Sequence, residues 1–283
     1  MTGLNTMKLD EQFDYTYLAL GAGVQSSALL VLACTDDRVP KPDVAIFADT
    51  GDEPQYVYDY LKILTKYAKP YGVDVVIATG GVLSESVFKA KETGNNFLKI
   101  PVYTRTEGHG MLRRRCTADY KITPVAKKVR ELLGYRPRQR IKKRVRAMLG
   151  ISLDEMQRMK ESWFPYIVNT FPLIDLGIRR EHCLEICSDA GLPEPSKSAC
   201  VYCPYHSDKH WQWMKDIFPA EFAKAVEFDR QLRNVNRQTE IGNDDLAFFV
   251  HKSCQPLDEV EFNAADKDQV DMFNNECDGM CGV

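Results

Sequence analysis

The residues best equipped for chemistry in this chain are cysteines. Nine occur in 283 residues. Two stand aside: Cys34 follows Leu29-Leu30-Val31-Leu32 and reads as a small core residue, and Cys254 belongs to no pattern. Cys200-Val201-Tyr202-Cys203-Pro204 forms a Cys-x-x-Cys-Pro turn, a spacing at which two thiolates converge on one metal and which is common at iron–sulfur sites. His206 and His210 follow, so the same stretch also carries zinc-finger ligand types at compressed spacing, and zinc is the rival metal. Cys183 and Cys187 lie one helical turn apart, ahead of the stiff turn Gly191-Leu192-Pro193-Glu194-Pro195. That turn is expected to fold Cys200 back toward Cys183, which makes Cys183 a candidate further ligand. Cys277 and Cys281 sit in a short acidic terminus, where a mobile thiol can enter and leave a pocket. Disulfides are disfavoured, because the N-terminal stretch lacks a signal-peptide core and the cytosol keeps thiols reduced.

A second chemical signal is a Gly-rich turn. Tyr15 to Leu20 reads as a buried strand that runs into Gly21-Ala22-Gly23-Val24-Gln25-Ser26-Ser27 and then an apolar helix. Such a strand–turn–helix junction offers backbone N–H groups and a positive dipole end to a phosphate. Gly21 and Gly23 permit close approach of an anion, and Ser26 and Ser27 add hydroxyls. The next strand, Val44 to Ala48, ends at Asp49-Thr50-Gly51. In open α/β sheets ligands lie beyond such carboxyl ends, so Asp49 is placed to accept from a ribose or adenine donor.

Together, Leu20-Gly21-Ala22-Gly23-Val24-Gln25-Ser26-Ser27 and Phe47-Ala48-Asp49-Thr50-Gly51 resemble the PP-loop of the phosphoadenosine phosphosulfate (PAPS) reductase family, within the adenine nucleotide α-hydrolase-like superfamily. ATP-cleaving members of that superfamily carry Ser-Gly-Gly-x-Asp-Ser, where this chain has Gly21, Ala22 and Gln25. The loop is thus closer to those of the sulfonucleotide reductases, which bind a nucleotide without cleaving ATP. Arg115-Cys116-Thr117-Ala118-Asp119-Tyr120-Lys121-Ile122-Thr123-Pro124 is similar to the Cys-Thr…Lys…Pro stretch of the same group, including relatives that act in DNA phosphorothioation. The resemblance implies that Lys121, Arg115 and the adjoining Arg113 and Arg114 meet phosphate or sulfate. It also implies a [4Fe–4S] cluster held by Cys116, Cys200 and Cys203, with Cys183 or an open iron completing it. Glu276-Cys277 is similar to the start of the reductases' Glu-Cys-Gly tail, which makes Cys277 the implied nucleophile and Cys281 a resolving or carrier thiol.

Three functions follow as expectations. The first is sulfur transfer on an adenylated compound (APS or PAPS), with a thiol electron-donor protein. The second is ATP-dependent thiolation of tRNA or DNA, and the third a non-catalytic nucleotide sensor with a structural metal.

The positioning elements are an alternation of strand, helix and strand through Val73 to Ala78, which predicts a doubly wound parallel α/β sheet. Thr117 to Leu133 reads as helix, and Ser152-Leu153-Asp154-Glu155 as a capping box opening another. Helices are also expected over 181–190, 211–217 and 219–232. The organisation expected is a nucleotide-binding domain over 15–135, a helical cysteine-bearing region over 136–253 and an acidic tail over 254–283. From Arg136 to Arg146 seven of eleven residues are basic and none acidic, which suits nucleic-acid phosphates, an acidic partner or a charged helical surface. No aromatic residue interrupts that run. Nothing approaches the roughly 18 apolar residues of a membrane span, so a cytoplasmic protein without membrane partners is expected.

Overall fold

A computed structural model of the chain describes residues 12–92, 99–105, 111, 115–236 and 247–262. Its first half follows the expected alternation: β1 (Tyr15–Leu20), α1 (Val24–Thr35), β2 (Val44–Asp49), α2 (Gln55–Ala68), β3 (Asp74–Thr79) and α3 (Leu83–Glu92). A short β4 (Tyr103–Thr104) precedes six residues of π-helix, Thr117–Ile122, which lead into α4 (Thr123–Leu132). Then come β5 (Val145–Leu149), β6 (Ile167–Thr170), α5 (Pro172–Asp175), α6 (Arg180–Asp189), α7 (Asp208–Ile217), α8 (Pro219–Asn236) and β7 (Phe248–Phe249). Among the described residues no helix is long and apolar enough to cross a membrane.

The sheet runs β3-β2-β1-β5-β6 with every pair parallel. Covered on both faces, its central strands are apolar throughout rather than alternating. Side chains of period two divide between two cores. Leu18, Leu20, Phe47 and Met148 face α1, α2 and α6, while Tyr17, Ala19, Ile46, Ala147 and Leu149 face Val125, Ala126 and Val129 of α4. This is a doubly wound α/β sheet. A third cluster joins Leu83 and Val87 of α3 to α7, α8 and the 199–203 turn.

Three expectations need correction. The sheet takes β5 and β6 from beyond residue 135, so the boundary placed there falls inside it. The basic run is not a helix: residues 136–144 are irregular and its end enters β5, where Arg146 is tolerated because its guanidinium lies 4.3 Å from the Phe13 ring centroid. Nor is Ser152 part of a capping box, since its side chain makes no cap bond and Glu155 is held by Arg158 instead. The turn there is 3₁₀ with a kink at Glu155 (φ −113°, ψ 18°).

Candidate active site

The Gly-rich loop lies where strand order reverses, between β1 and β5, the place at which open α/β sheets bind ligands. Its shape is fixed from within. Ala22 takes a left-handed φ of 57°, the Gly21 N–H donates to Ser26 Oγ (3.2 Å), and the Ser26 and Ser27 hydroxyls donate to the Gly23 carbonyl (3.2 and 2.7 Å). Both serines therefore shape the loop. Gly23 caps α1 without a side-chain bond, which leaves a first turn of the kind that suits an anion. Gln25 Oε1 accepts from Arg180 Nη1 at the start of α6 (2.8 Å), while its Nε2 is buried without a hydrogen-bond partner. At the β2 exit, Asp49 Oδ1 accepts from the Gly51 N–H and the Tyr58 hydroxyl, both at 2.8 Å. That side chain builds the turn.

Beside this exit the chain gathers a buried polar group around one thiol. Cys200 Sγ lies 3.2 Å from Thr50 Oγ1, Thr50 Oγ1 lies 3.5 Å from Glu53 Oε1, and Lys121 Nζ lies 3.6 Å from the same carboxylate oxygen. Lys121 and Glu53 are only 7% and 1% exposed, so their pairing is what makes burial of either charge tolerable. The π-helical turn carries Tyr120, Lys121 and Ile122 inward together. The cysteine turn is clamped to β2: the Val201 N–H donates to the Asp52 carbonyl (2.8 Å) and the Tyr202 hydroxyl to Asp52 Oδ2 (2.6 Å). Ser84 donates to the two Asp52 oxygens through its N–H (2.7 Å) and hydroxyl (2.8 Å).

Burial pushes the Cys200 thiol well above its ordinary range, Glu53 adds to the rise, and Lys121 and Thr50 oppose it. Cys200 is thus a neutral thiol at rest. His206 Nε2 lies 2.9 Å from the Cys200 carbonyl, which only a protonated Nε2 can serve. Burial drives His206 far down and His210 down to about 3, so both stacked imidazoles (4.3 Å between centroids) are neutral. A cleft of about 550 Å³ opens beside the turn, walled by Asp52, Glu53, Ser84, Tyr202, Lys224 and Phe228.

Cys116 is half-buried and packs against the cluster that contains Cys200 and Cys203, close enough to act electrostatically on Cys200. Cys183 is placed elsewhere. It lies with Cys187 in the core between α1 and α6, and burial pushes its thiol up to about 12, as suits an inert packing residue. Among the described residues no three His, Cys, Asp or Glu side chains are grouped to hold a metal ion. Of the four expected ligands, Cys116, Cys200 and Cys203 share one cluster of side chains and Cys183 lies apart from them. Arg115 is an exposed residue 3.8 Å from Asp119, outside the buried group. Cys277, Cys281, Arg113 and Arg114 lie outside the described residues.

Sequence reasoning missed Glu53 and Tyr202. Glu53 carried a signal, an acid within Asp52-Glu53-Pro54 directly after a strand end; Tyr202 was visible only as a filler of the Cys-x-x-Cys turn.

No protein-family model matches the chain, and no curated protein matches it. Among solved structures, the U34-tRNA thiolase NcsA from Methanococcus maripaludis, described with its [4Fe–4S] cluster, is similar at 15% identity and a TM-score of 0.42, covering 84% of this chain and 80% of that one.

Proposed function

We propose that the chain is a sulfur-transfer enzyme using an adenine nucleotide held at the β1 exit, and that its reaction is ATP-dependent thiolation of an acceptor. The observation that carries this reading is the Cys200–Thr50 contact. It sets a thiol of the chain at the carboxyl end of β2, on the same edge of the sheet as the Gly-rich loop. From Cys200 a proton path leads through the Thr50 hydroxyl to the Glu53 carboxylate. Contacts of 3.2 and 3.5 Å are long for proton transfer and tighten when a substrate closes the site. Lys121 favours the thiolate that results, and Tyr202, Asp52 and Ser84 hold the turn rigid. In this reading Cys200 is a nucleophile or sulfur carrier.

Gln25 favours a second reading, reduction of a sulfonucleotide, since ATP-cleaving loops carry Asp there. Against it, the cleft beside Cys200 is walled by Asp52, Glu53 and Glu227 with Lys224 as the cation among its lining residues, a poor seat for an anionic sulfate. Products separate the two: pyrophosphate from ATP for thiolation, sulfite from APS or PAPS for reduction. If none of these nucleotides raises the melting temperature, adenine-nucleotide binding is refuted, because a ligand at about 100 times its Kd adds about 2.7 kcal/mol.

A further inference from the structure

The densest charge of the chain lies at the other end of the sheet. Residues 136–144 lead into β5 and residues 159–166 lead into β6, and these strands are parallel neighbours. Both segments therefore meet at the amino ends of the strands, about 17 Å, one strand length, from the Gly-rich loop. The junction is closed by the Val145 N–H, which donates to the Tyr166 carbonyl (2.8 Å). Lys142 and Lys143 stand two or three residues before one side of that bond, Trp163 three before the other. Each is thus within about 10 Å of it along the chain.

The basic segment has a fixed backbone and free side chains. Arg130 Nη1 donates to the carbonyls of Arg136 (3.0 Å) and Gln139 (2.6 Å), and the Arg136 N–H donates to Gln139 Oε1 (2.9 Å). Arg136, Arg138, Arg140, Lys142 and Lys143 are exposed, and among the described residues none of the five side chains makes an ion pair. Trp163 is 61% exposed, more than any other large hydrophobic side chain described, and the exposed Lys160 lies three residues before it. The aromatic group that the basic run lacks in sequence is thus supplied by the loop entering the neighbouring strand.

We propose that this edge is a docking face for single-stranded nucleic acid, in which the five cations neutralise backbone phosphates and Trp163 stacks on a base. Cations on a held loop with one freely presented ring form the platform such strands use. An anionic lipid surface asks instead for a broad apolar face, whereas here one ring stands among charges. Duplex DNA would engage the cations and leave the ring unused. The inference goes beyond the proposed reaction and needs no nucleotide at the Gly-rich loop.

The test is titration of the full chain with a fluorescein-labelled oligothymidylate of about twenty nucleotides, following anisotropy and tryptophan emission. Five phosphate contacts to a single strand give a slope of log K against log salt of about −3.5. The variant R138E/R140E/K142E/K143E is expected to weaken binding at least tenfold and to cut that slope to about −0.7, the share of one remaining contact. Trp163→Phe is expected to abolish most of the emission change, since Trp211 is fully buried and the half-buried Trp213 is packed against Tyr56 and Phe218, and to weaken binding about tenfold. All substituted positions are exposed, and an unchanged melting temperature with and without ATP keeps the outcome separate from the proposed reaction. The proposal is overturned if the wild type does not bind the oligonucleotide at about 50 mM KCl. It is overturned equally if charge reversal leaves affinity unchanged, or if a duplex or phosphatidylserine vesicles bind more tightly than the single strand.

Discussion

Replacing Gly150 with alanine would show whether β5 sets the shape of the Gly-rich loop. A Cβ at Gly150 would lie 2.7 Å from Ser26 N, 2.8 Å from Ser26 Cα and 2.9 Å from Gln25 C. All three atoms are backbone at the start of α1, so no rotamer change can relieve the contact. To reach the 3.4 Å at which ordinary contact begins, two central segments must part by about 0.7 Å. Overpacking of this kind costs about 1–3 kcal/mol. At about 2–4 °C per kcal/mol for a chain of this size, the melting temperature falls by about 2–12 °C. The displaced N–H groups are the proposed phosphate ligands, so the rise in melting temperature on adding ATP shrinks as well; a tenfold loss of affinity removes about 1.4 kcal/mol of it. Thermal unfolding with and without saturating ATP measures both effects. Gly177→Ala is the control: its φ of +69° brings strain of about 1–2 kcal/mol, nothing lies within 4 Å of the added Cβ, and the ATP effect should persist. A Gly150→Ala protein that melts with the wild type and gains the same stability from ATP would refute the reasoning.

Cys200→Ser should abolish sulfur transfer while leaving stabilisation by ATP intact, and Cys183→Ser should leave turnover near the wild-type level; turnover retained by the first variant removes Cys200 from the reaction. Asp229 is fully buried and accepts from the Val250 and Leu257 N–H groups, both at 3.0 Å, besides pairing with Arg233, so Asp229→Ala is expected to cost about 3–5 kcal/mol in denaturant unfolding. A loss below about 1 kcal/mol would show that those groups find other partners. His210 stays neutral in the fold down to about pH 3, whereas the unfolded imidazole protonates near 6.5. The unfolded state therefore takes up the proton first, and stability falls as pH drops from about 6.5 towards 3. His210→Gln should flatten this fall, and an unflattened profile counts against the assignment.

How much of the molecule could be read from its sequence depended on whether tertiary partners were needed to make sense of a residue. Tyr15 to Leu20, the Gly-rich turn and Val44 to Ala48 carry local signals, apolar strands ending in small residues, and the structure keeps all three. β5 was hidden, because Arg146 in Val145-Arg146-Ala147-Met148-Leu149 extends a basic run and the Phe13 ring that its guanidinium meets is distant in sequence. Ser152 and Glu155 matched a capping pattern, but Arg158 took the carboxylate and left the Ser152 hydroxyl buried without a partner. Motif and spacing singled out Lys121 as a phosphate contact and Cys200 as a metal ligand, and the structure sets both beside Glu53. Glu53 itself was not singled out, since an acid after a strand end is only a weak signal until folding sets a lysine 3.6 Å away. Cys183 had the right type and spacing, yet its helix faces α1 and not the cysteine turn.

The order of strands has a consequence for synthesis. β1 leaves the ribosome early, but the partner on its β5 side arrives much later: Asp14 and Arg144, joined where the two strands begin, are 130 positions apart. A nascent chain that has grown to residue 135 already contains the whole Gly-rich motif and lacks the backbone of Gly150 against which that motif is seated. Such a fragment would carry the Gly-rich signature as letters only, and the loop shape on which the proposed nucleotide site depends would be acquired abruptly, when the late strand zips in.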